Sequence, residues 1–270
     1  MNAVEAIIYG LIQGLSEFLP VSSSGHLALL PYMMKIQDPG VVFDLMMHLG
    51  TALAVMVYFR KDLFLHVQSL NLKLLDTKNG SPSQWFTRNF ILSTFVSVIC
   101  IVLLIPLSKM ARDPNIIVFN LSFFGLILWL VDRHYWKRGE HLVSPMESKM
   151  QWKMAVLIGM AQALAIFPGV SRSGITLSAA LLLGMNRKEA GSYSFLMSLP
   201  IILAGIIKEI PDLMHASQEN LYILVIGVAS SFVVGLLTIH FFMSLISKIK
   251  LFYFALYRWL IAGAILYLIN

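Results

Sequence analysis

Charge is what this chain has least of for its size. Asp, Glu, Lys and Arg together make up 13% of its 270 residues, about half of the roughly 25% found in soluble domains. Hydrophobic residues make up 58%, and the mean hydropathy is +0.77. This excludes a soluble globular domain and points to a polytopic membrane protein. Cysteine is nearly absent. The single Cys100 lies in an apolar stretch, so a disulfide or thiolate-metal framework is excluded. A basic opening region is also missing at the amino end, where Glu5 and Glu17 stand instead, so this segment does not read as a secretory signal.

Long runs free of charge are plentiful. A crossing helix needs about 20 mostly apolar residues to traverse roughly 30 Å of hydrocarbon. Residues 89–108, 114–131, 190–207 and 220–247 contain no Asp, Glu, Lys or Arg, and residues 41–59 and 251–270 contain one each. Six crossings are therefore expected. Two further apolar stretches, residues 4–34 and 154–185, are interrupted at "FLPVSSSG" and "FPGVSRSG". Their halves are too short to span, and the sequence predicts two re-entrant helical hairpins, whose irregular tips must be buried in protein or line a wet cavity.

The interrupted stretches resemble each other. At an offset of 149, "GLIQGLSEFLPVSSSG" lies over "GMAQALAIFPGVSRSG", matching Gly10, Gln13, Leu15 and Phe18 with Gly159, Gln162, Leu164 and Phe167. Val21, Ser22, Ser24 and Gly25 likewise match Val170, Ser171, Ser173 and Gly174, and "FDLMMHLGTALA" then runs beside "YSFLMSLPIILA" one residue out of register. The expected fold is an all-α membrane protein, a single integral membrane domain over residues 1–270, built from internal repeats at about 1–135 and 150–270. One hairpin and three crossings per repeat would invert the second copy relative to the first.

Charge placement agrees with inversion. Threaded this way, one face collects 14 of the 20 Lys and Arg residues, in the loops 60–88 and 132–153 and at Arg187, Lys188, Lys248 and Lys250. Lys35, Lys109, Arg112 and Lys208 fall on the other. The basic face is expected inside, placing both termini and the site opening on the outer side of a bacterial inner membrane. The net charge of +6 then reads as orientation and lipid contact rather than nucleic-acid binding.

Broken helices in inverted repeats bring binding groups together near the bilayer midplane. One tip carries Gln13, Glu17, Ser22, Ser23, Ser24 and His26, and the other Ser171, Arg172, Ser173 and Thr176. Gln13 and Glu17, at i and i+4, share a helix face. Serines at the tips would cap the second half-helices, and their N–H groups together with the Arg172 fork suit a phosphate. Ser23 could attack a phosphoryl group held there, Glu17 or His26 could manage the proton, and Gln13 with Glu17 could offer oxygens to a divalent ion. Serines at such breaks often only cap, whereas a Glu or Arg at membrane depth costs about 2.5 kcal/mol or more and is seldom idle. Asp44 and His48 could border the cavity or pair with each other. Arg258 should face the bundle interior or snorkel, His240 reads as interfacial, and Trp85, Trp152 and Tyr222 as interface anchors. The segment from Asp62 to Gln84 reads as a polar loop without a motif.

"QGLSEFLPVSSSGH" and "PGVSRSGIT" resemble, without gaps, the two signature motifs of the undecaprenyl-diphosphate phosphatase family, also called the bacitracin-resistance proteins. The resemblance covers essentially the whole chain. It implies hydrolysis of undecaprenyl diphosphate to the monophosphate and inorganic phosphate. This recycles the lipid carrier for peptidoglycan and confers resistance to bacitracin, which competes for the diphosphate. It implies functional roles for Glu17, Ser23, His26 and Arg172, with Gln13 at a more permissive acidic position. Ser22, Ser24, Gly25, Ser171, Ser173, Gly174 and Thr176 are the expected substrate contacts. A divalent cation, Mg²⁺ or Ca²⁺, is implied, with Glu17 and Gln13 as its expected ligands, and a homodimer is left open. "SSGH" is also similar to the element of type-2 phosphatidic-acid phosphatases, but no His or Asp follows Arg172 in "SGITLSAALLLG". A prenyl-phosphate transporter or flippase is the alternative that the architecture allows.

Overall fold

The computed structural model describes residues 1–36, 38–70, 82–108, 113–138, 151–214 and 218–269, and among them every regular element is helical. Helix α1 (Ala3–Ser16) begins with a capping box: Asn2 Oδ1 accepts from the Glu5 backbone N–H (3.0 Å), and Glu5 Oε2 accepts from that of Asn2 (2.7 Å). At 14 residues, about 21 Å, it cannot cross a bilayer. It stops before Pro20, and the chain turns back through Ser22 into α2 (Ser23–Met34). The second hairpin repeats this plan. Helix α7 (Trp152–Ala163) runs into a short 3₁₀ turn (Leu164–Ile166) and, after Phe167, Pro168 and Gly169, α8 (Arg172–Leu182) starts.

Between and after the hairpins stand the long helices: α3 (Val41–Tyr58), α4 (Arg60–Ser69), α5 (Pro82–Ser108), α6 (Pro114–Arg138), α9 (Arg187–Met214), α10 (Gln218–Leu245) and α11 (Phe252–Ile269). Four of these, α5, α6, α9 and α10, are long and apolar enough to cross a membrane, and α3 with α4 makes a fifth if the 76° bend between them is taken within one span. The stretches 3–16, 152–166 and 252–267 are apolar but shorter. The chain is a polytopic all-α membrane protein. Large apolar side chains such as Phe95, Leu103 and Phe119 are well exposed on the helix surfaces, as lipid contact requires.

One expectation needs correction. Of the segment from Asp62 to Gln84 read as a polar loop, residues 62–69 belong to α4, which begins at Arg60, and Gln84 lies within α5. The four charged or imidazole-bearing residues Arg60, Lys61, Asp62 and His66 masked the helix, and its apolar residues Leu63, Phe64, Leu65 and Val67 do not fall on one face. Residues 71–81, most of the basic loop 132–153, Lys109 and Arg112 lie outside the described residues.

Packing follows a reciprocal pattern. Helix α1 packs along α10, and α7, its counterpart by sequence offset, packs along α5. Helices α3 and α9 pack on each other, as do α6 and α11. The close crossings fall at the matched glycines. A Cβ on Gly10 would lie 2.5 Å from the Gly227 carbonyl oxygen, and one on Gly159 would lie 2.5 Å from that of Ser93. Small residues let these backbones approach in a medium where apolar side chains gain nothing by leaving lipid. Ser97 Oγ donates to Gly159 O (2.9 Å) across the α5–α7 seam, and Ser231 Oγ of α10 donates to Met47 O of α3 (2.7 Å).

Two buried arginines pin the carboxyl-terminal half. Arg187 pairs with Asp132 of α6 and donates through Nη1 to Ile246 O (3.0 Å), while its guanidinium lies over the Tyr135 and Trp136 rings. Arg258 faces the interior, as expected. Gly10→Ala and Gly159→Ala should each cost about 1–3 kcal/mol by overpacking. Gly263→Ala, with no atom within 4 Å of the added methyl, should not destabilise. Thermal unfolding of the purified variants in detergent checks this; equal midpoints for all three would refute the close-crossing account.

Candidate active site

Both hairpins turn on a serine in a left-handed conformation, Ser22 at φ 75° and Ser171 at φ 71°. Non-glycine residues seldom adopt this backbone, and it is held only where surrounding packing over-determines it. The residues that follow, Ser23 and Arg172, each occupy the first position of a half-helix, and the offset of 149 makes them counterparts. The two caps differ. Ser171 Oγ accepts from the Gly174 N–H (3.2 Å), whereas Ser22 makes no side-chain cap, its Oγ lying 3.3 Å from Ser24 Oγ. The expectation that serines cap both half-helices therefore holds for the second alone.

The tips meet at Glu17, which is 5% exposed. One carboxylate oxygen pairs with Arg172 Nη2 from the opposite hairpin. The other accepts from Ser23 Oγ at 2.6 Å and from Gln13 Nε2 at 2.8 Å, and His48 Nε2 stands 3.4 Å from it. Arg172 Nη1 donates to Ser198 O (3.2 Å), and Ser173 Oγ donates to Leu19 O (3.0 Å), binding tip to tip. Around this cluster lies a cavity of ≈ 230 Å³, lined on its polar side by Glu17, Ser23, Ser24, His48, Gln162, Ser171, Arg172 and Ser173, with Ile101 and Ile201 among its apolar lining.

His48 is oriented by its own helix. Its Nδ1 lies 2.8 Å from the Asp44 carbonyl oxygen, an acceptor, so Nδ1 carries a proton and the ring turns its Nε2 toward Glu17. The choice left open for Asp44 and His48 resolves toward the cavity: His48 joins the cluster, and what it takes from Asp44 is the backbone carbonyl. The signal in the sequence was its place in "FDLMMHLG", the stretch that repeats as "YSFLMSLP", where the second copy supplies Ser198 to hold Arg172.

The remaining expected residues divide. Ser24, Ser171 and Ser173 line the cavity. Thr176 stands behind it, its Oγ1 bonded to Arg172 O (2.7 Å) and paired with Ser194, so it props the helix that carries Arg172. A Cβ on Gly174 would meet Ser171 Oγ at 3.1 Å. His26 is not brought to the cluster. Its Nδ1 is 2.8 Å from Ser22 O and its Nε2 is 2.8 Å from Tyr257 Oη, with the two rings stacked. Among the described residues no group of three His, Cys, Asp or Glu is placed to hold a metal ion. Gln13 Oε1 and Gln162 Oε1, at matched positions, are buried acceptors without a hydrogen-bond partner.

Chemically, the arrangement pairs a hydroxyl with a carboxylate at proton-transfer distance, opposite a guanidinium and a helix N-terminus suited to phosphate. The family model described as "Bacitracin resistance protein BacA" matches residues 6–264. Curated relatives include the undecaprenyl-diphosphatase of Marinobacter nauticus, 36% identical over 98% of both chains. That of Aliivibrio salmonicida is 37% identical over 98% of both. The one from Caldicellulosiruptor bescii is 39% identical over 98% of this chain and 97% of its own.

An anion site built on Arg172 predicts that inorganic diphosphate, at about 100 times its dissociation constant, raises the unfolding midpoint by about 5–10 °C. Arg172→Ala should abolish the shift. A shift of equal size in both proteins would remove Arg172 from the site.

Proposed function

The chain belongs to the bacitracin resistance protein BacA family, and we infer that it is an undecaprenyl-diphosphatase. It is an integral membrane hydrolase that converts undecaprenyl diphosphate to undecaprenyl phosphate and inorganic phosphate. The observation that carries the site assignment is the 2.6 Å bond from Ser23 Oγ to Glu17 Oε2, with Arg172 on the other carboxylate oxygen. On this reading Arg172 and the first turn of α8 grip the terminal phosphoryl group. Ser23 Oγ attacks its phosphorus as Glu17 takes the hydroxyl proton. The bond from that phosphorus to the bridging oxygen breaks, and undecaprenyl phosphate leaves with the bonding pair. Water then attacks the phosphoserine phosphorus: the bond to Ser23 Oγ breaks as Glu17 returns to that oxygen the proton it took in the first step, and the proton of the attacking water leaves with the released phosphate. His48, whose Nε2 stands 3.4 Å from Glu17, relays protons between it and the cavity. His26 acts at one remove, holding the start of α2 through Ser22 O and Tyr257.

A divalent cation fits beside this pair through Gln13 Oε1, the buried acceptor left without a partner, together with Glu17. When bound, Mg²⁺ or Ca²⁺ would supply neutralising charge for the diphosphate oxygens. Bacitracin resistance follows from competition for the same diphosphate. The carrier alternative finds no support from the relatives, which are named as diphosphatases.

The architecture proposed is six crossings with two re-entrant hairpins, in repeats of about 1–135 and 150–270. It is supported by the reciprocal packing of α1 on α10 and α7 on α5 and by the matched left-handed serines. With the basic loops inside, both termini and the cavity mouth face outward from the inner membrane. In a Cys100→Ser background, Asn2→Cys should react with a membrane-impermeant maleimide on intact cells and Lys248→Cys should not. The reverse pattern would invert the orientation.

Phosphate release from undecaprenyl diphosphate by the purified protein tests the mechanism. Ser23→Ala should lower the rate by about 10³-fold or more, and a loss of only a few fold would reject Ser23 as nucleophile. In the same assay a chelator should suppress release, and an unchanged rate would reject the cation.

A further inference from the structure

Helix α11 touches both hairpins through consecutive residues. Tyr257 meets His26 of α2, and Arg258 turns onto the tip of the second hairpin. Arg258 is 1% exposed. Its Nε donates to Leu121 O (3.1 Å), and its Nη2 reaches the carbonyl oxygens of Gly169 (2.7 Å), Val170 (3.1 Å) and Asn120 (3.3 Å). Asn120 Nδ2 holds the preceding carbonyl, of Pro168, at 2.8 Å. Three successive carbonyls, at 168, 169 and 170, are thus gripped immediately before Ser171.

This grip explains how the turn is kept. Gly169 has φ 89°, and a Cβ there would meet Ile117 O at 2.7 Å, so the tip lies flat on α6 with the Arg258 side chain closing over it. The left-handed Ser171 follows at once, and Arg172 begins α8. Any slack at 168–170 moves the guanidinium that faces Glu17.

Charge gives a second, independent indication. A guanidinium buried at membrane depth is costly without a counter-charge. Glu17 is paired with Arg172 and Asp132 with Arg187, whereas Arg258 rests on backbone carbonyls. Its Nη1 is buried with no hydrogen-bond partner, and it lies beside the first turn of α8, 3.3 Å from where a Cβ on Gly174 would sit.

We propose that Arg258 is a positioning residue of the phosphate site, clamping residues 168–170 so that Ser171 presents Arg172 to the terminal phosphoryl group. This rests on the diphosphatase reading, and wild-type phosphate release in the same assay separates failure of that reading from failure of this one.

Arg258→Lys keeps the charge but cannot span several carbonyls at once. Its kcat on undecaprenyl diphosphate should fall about 10- to 100-fold, with KM within about threefold of wild type and the unfolding midpoint little changed. Asn120→Ala, which frees Pro168 O alone, should shift kcat in the same direction by less. In an Arg172→Lys background the further loss from Arg258→Lys should shrink to about twofold or less, because the clamp acts through Arg172. Wild-type kcat in folded Arg258→Lys, or full additivity with Arg172→Lys, overturns the proposal. Should the Arg258 variants fail to fold, Asn120→Ala with kcat within about twofold of wild type overturns it as well.

Discussion

The bond that everything else serves is the ion pair between Glu17 and Arg172. Each charge sits in a hairpin tip too short to reach water on the far side of the membrane, and each alone would carry a desolvation cost of several kcal/mol. Together, with Gln13 and Ser23 on the carboxylate and Ser198 on the guanidinium, they are satisfied. The pair can exist only if the two tips meet, so the whole helical frame is organised around bringing residues 17 and 172 together. The glycine crossings at Gly10 and Gly159 set how closely α1 and α7 approach their long partners, and so where the tips stand.

The duplicated backbone is used for two different ends. A left-handed serine starts a half-helix at both tips, and the next residue points into the shared cavity. In the first copy that residue is Ser23, with Glu17 six positions earlier as its hydrogen-bond acceptor. In the second copy the position matching Glu17 is Ile166 and the position matching Ser23 is Arg172. One strained turn, used twice, delivers a nucleophile from one side and its electrostatic partner from the other. The copies are not packed alike. Helix α8 is buried along most of its length, whereas α2 keeps Ser24 and Ala28 exposed. The cation side is thereby the more rigid of the two.

Much of this was legible in the sequence because membrane depth makes polar residues conspicuous. Glu17, Ser23 and Arg172 stood out as polar groups at breaks in apolar runs, and the structure places all three in one network. The hairpins were legible from Pro, Gly and Ser interrupting stretches otherwise fit to be helices. What escaped did so for physical reasons. His26 sits in the motif and, at i+3, shares a helix face with Ser23, but its ring is taken by Ser22 O and by Tyr257 of α11, a partner that the motif does not show. His48 is in a long helix whose rotation the sequence does not reveal, so its facing the cavity could not be separated from pairing with Asp44. Arg258 looked like any arginine in a crossing, because its partners are backbone carbonyls, which leave no trace in side-chain pattern. Helix α4 was lost because its charges resembled a loop while its few apolar residues do not repeat at a helical period.

On the diphosphatase reading, the resting ion pair also shapes catalysis. Before substrate arrives, Glu17 absorbs much of the Arg172 field, and Arg172 retains guanidinium N–H groups beyond the two used on Glu17 and Ser198. When Glu17 takes the Ser23 proton it becomes neutral, and the compensating charge on Arg172 is released at the moment negative charge gathers on the transferring phosphoryl group. The attraction between Arg172 and phosphate is therefore greater in the transition state than in the bound ground state, which is the condition for an interaction to accelerate chemistry rather than merely tighten binding. The same coupling requires that Arg172 not follow Glu17 or drift as the charges shift. A guanidinium on a long flexible stem holds station only if the backbone beneath it is fixed, and the carbonyl clamp of Arg258 and Asn120 at residues 168–170 is the part of the fold that fixes it.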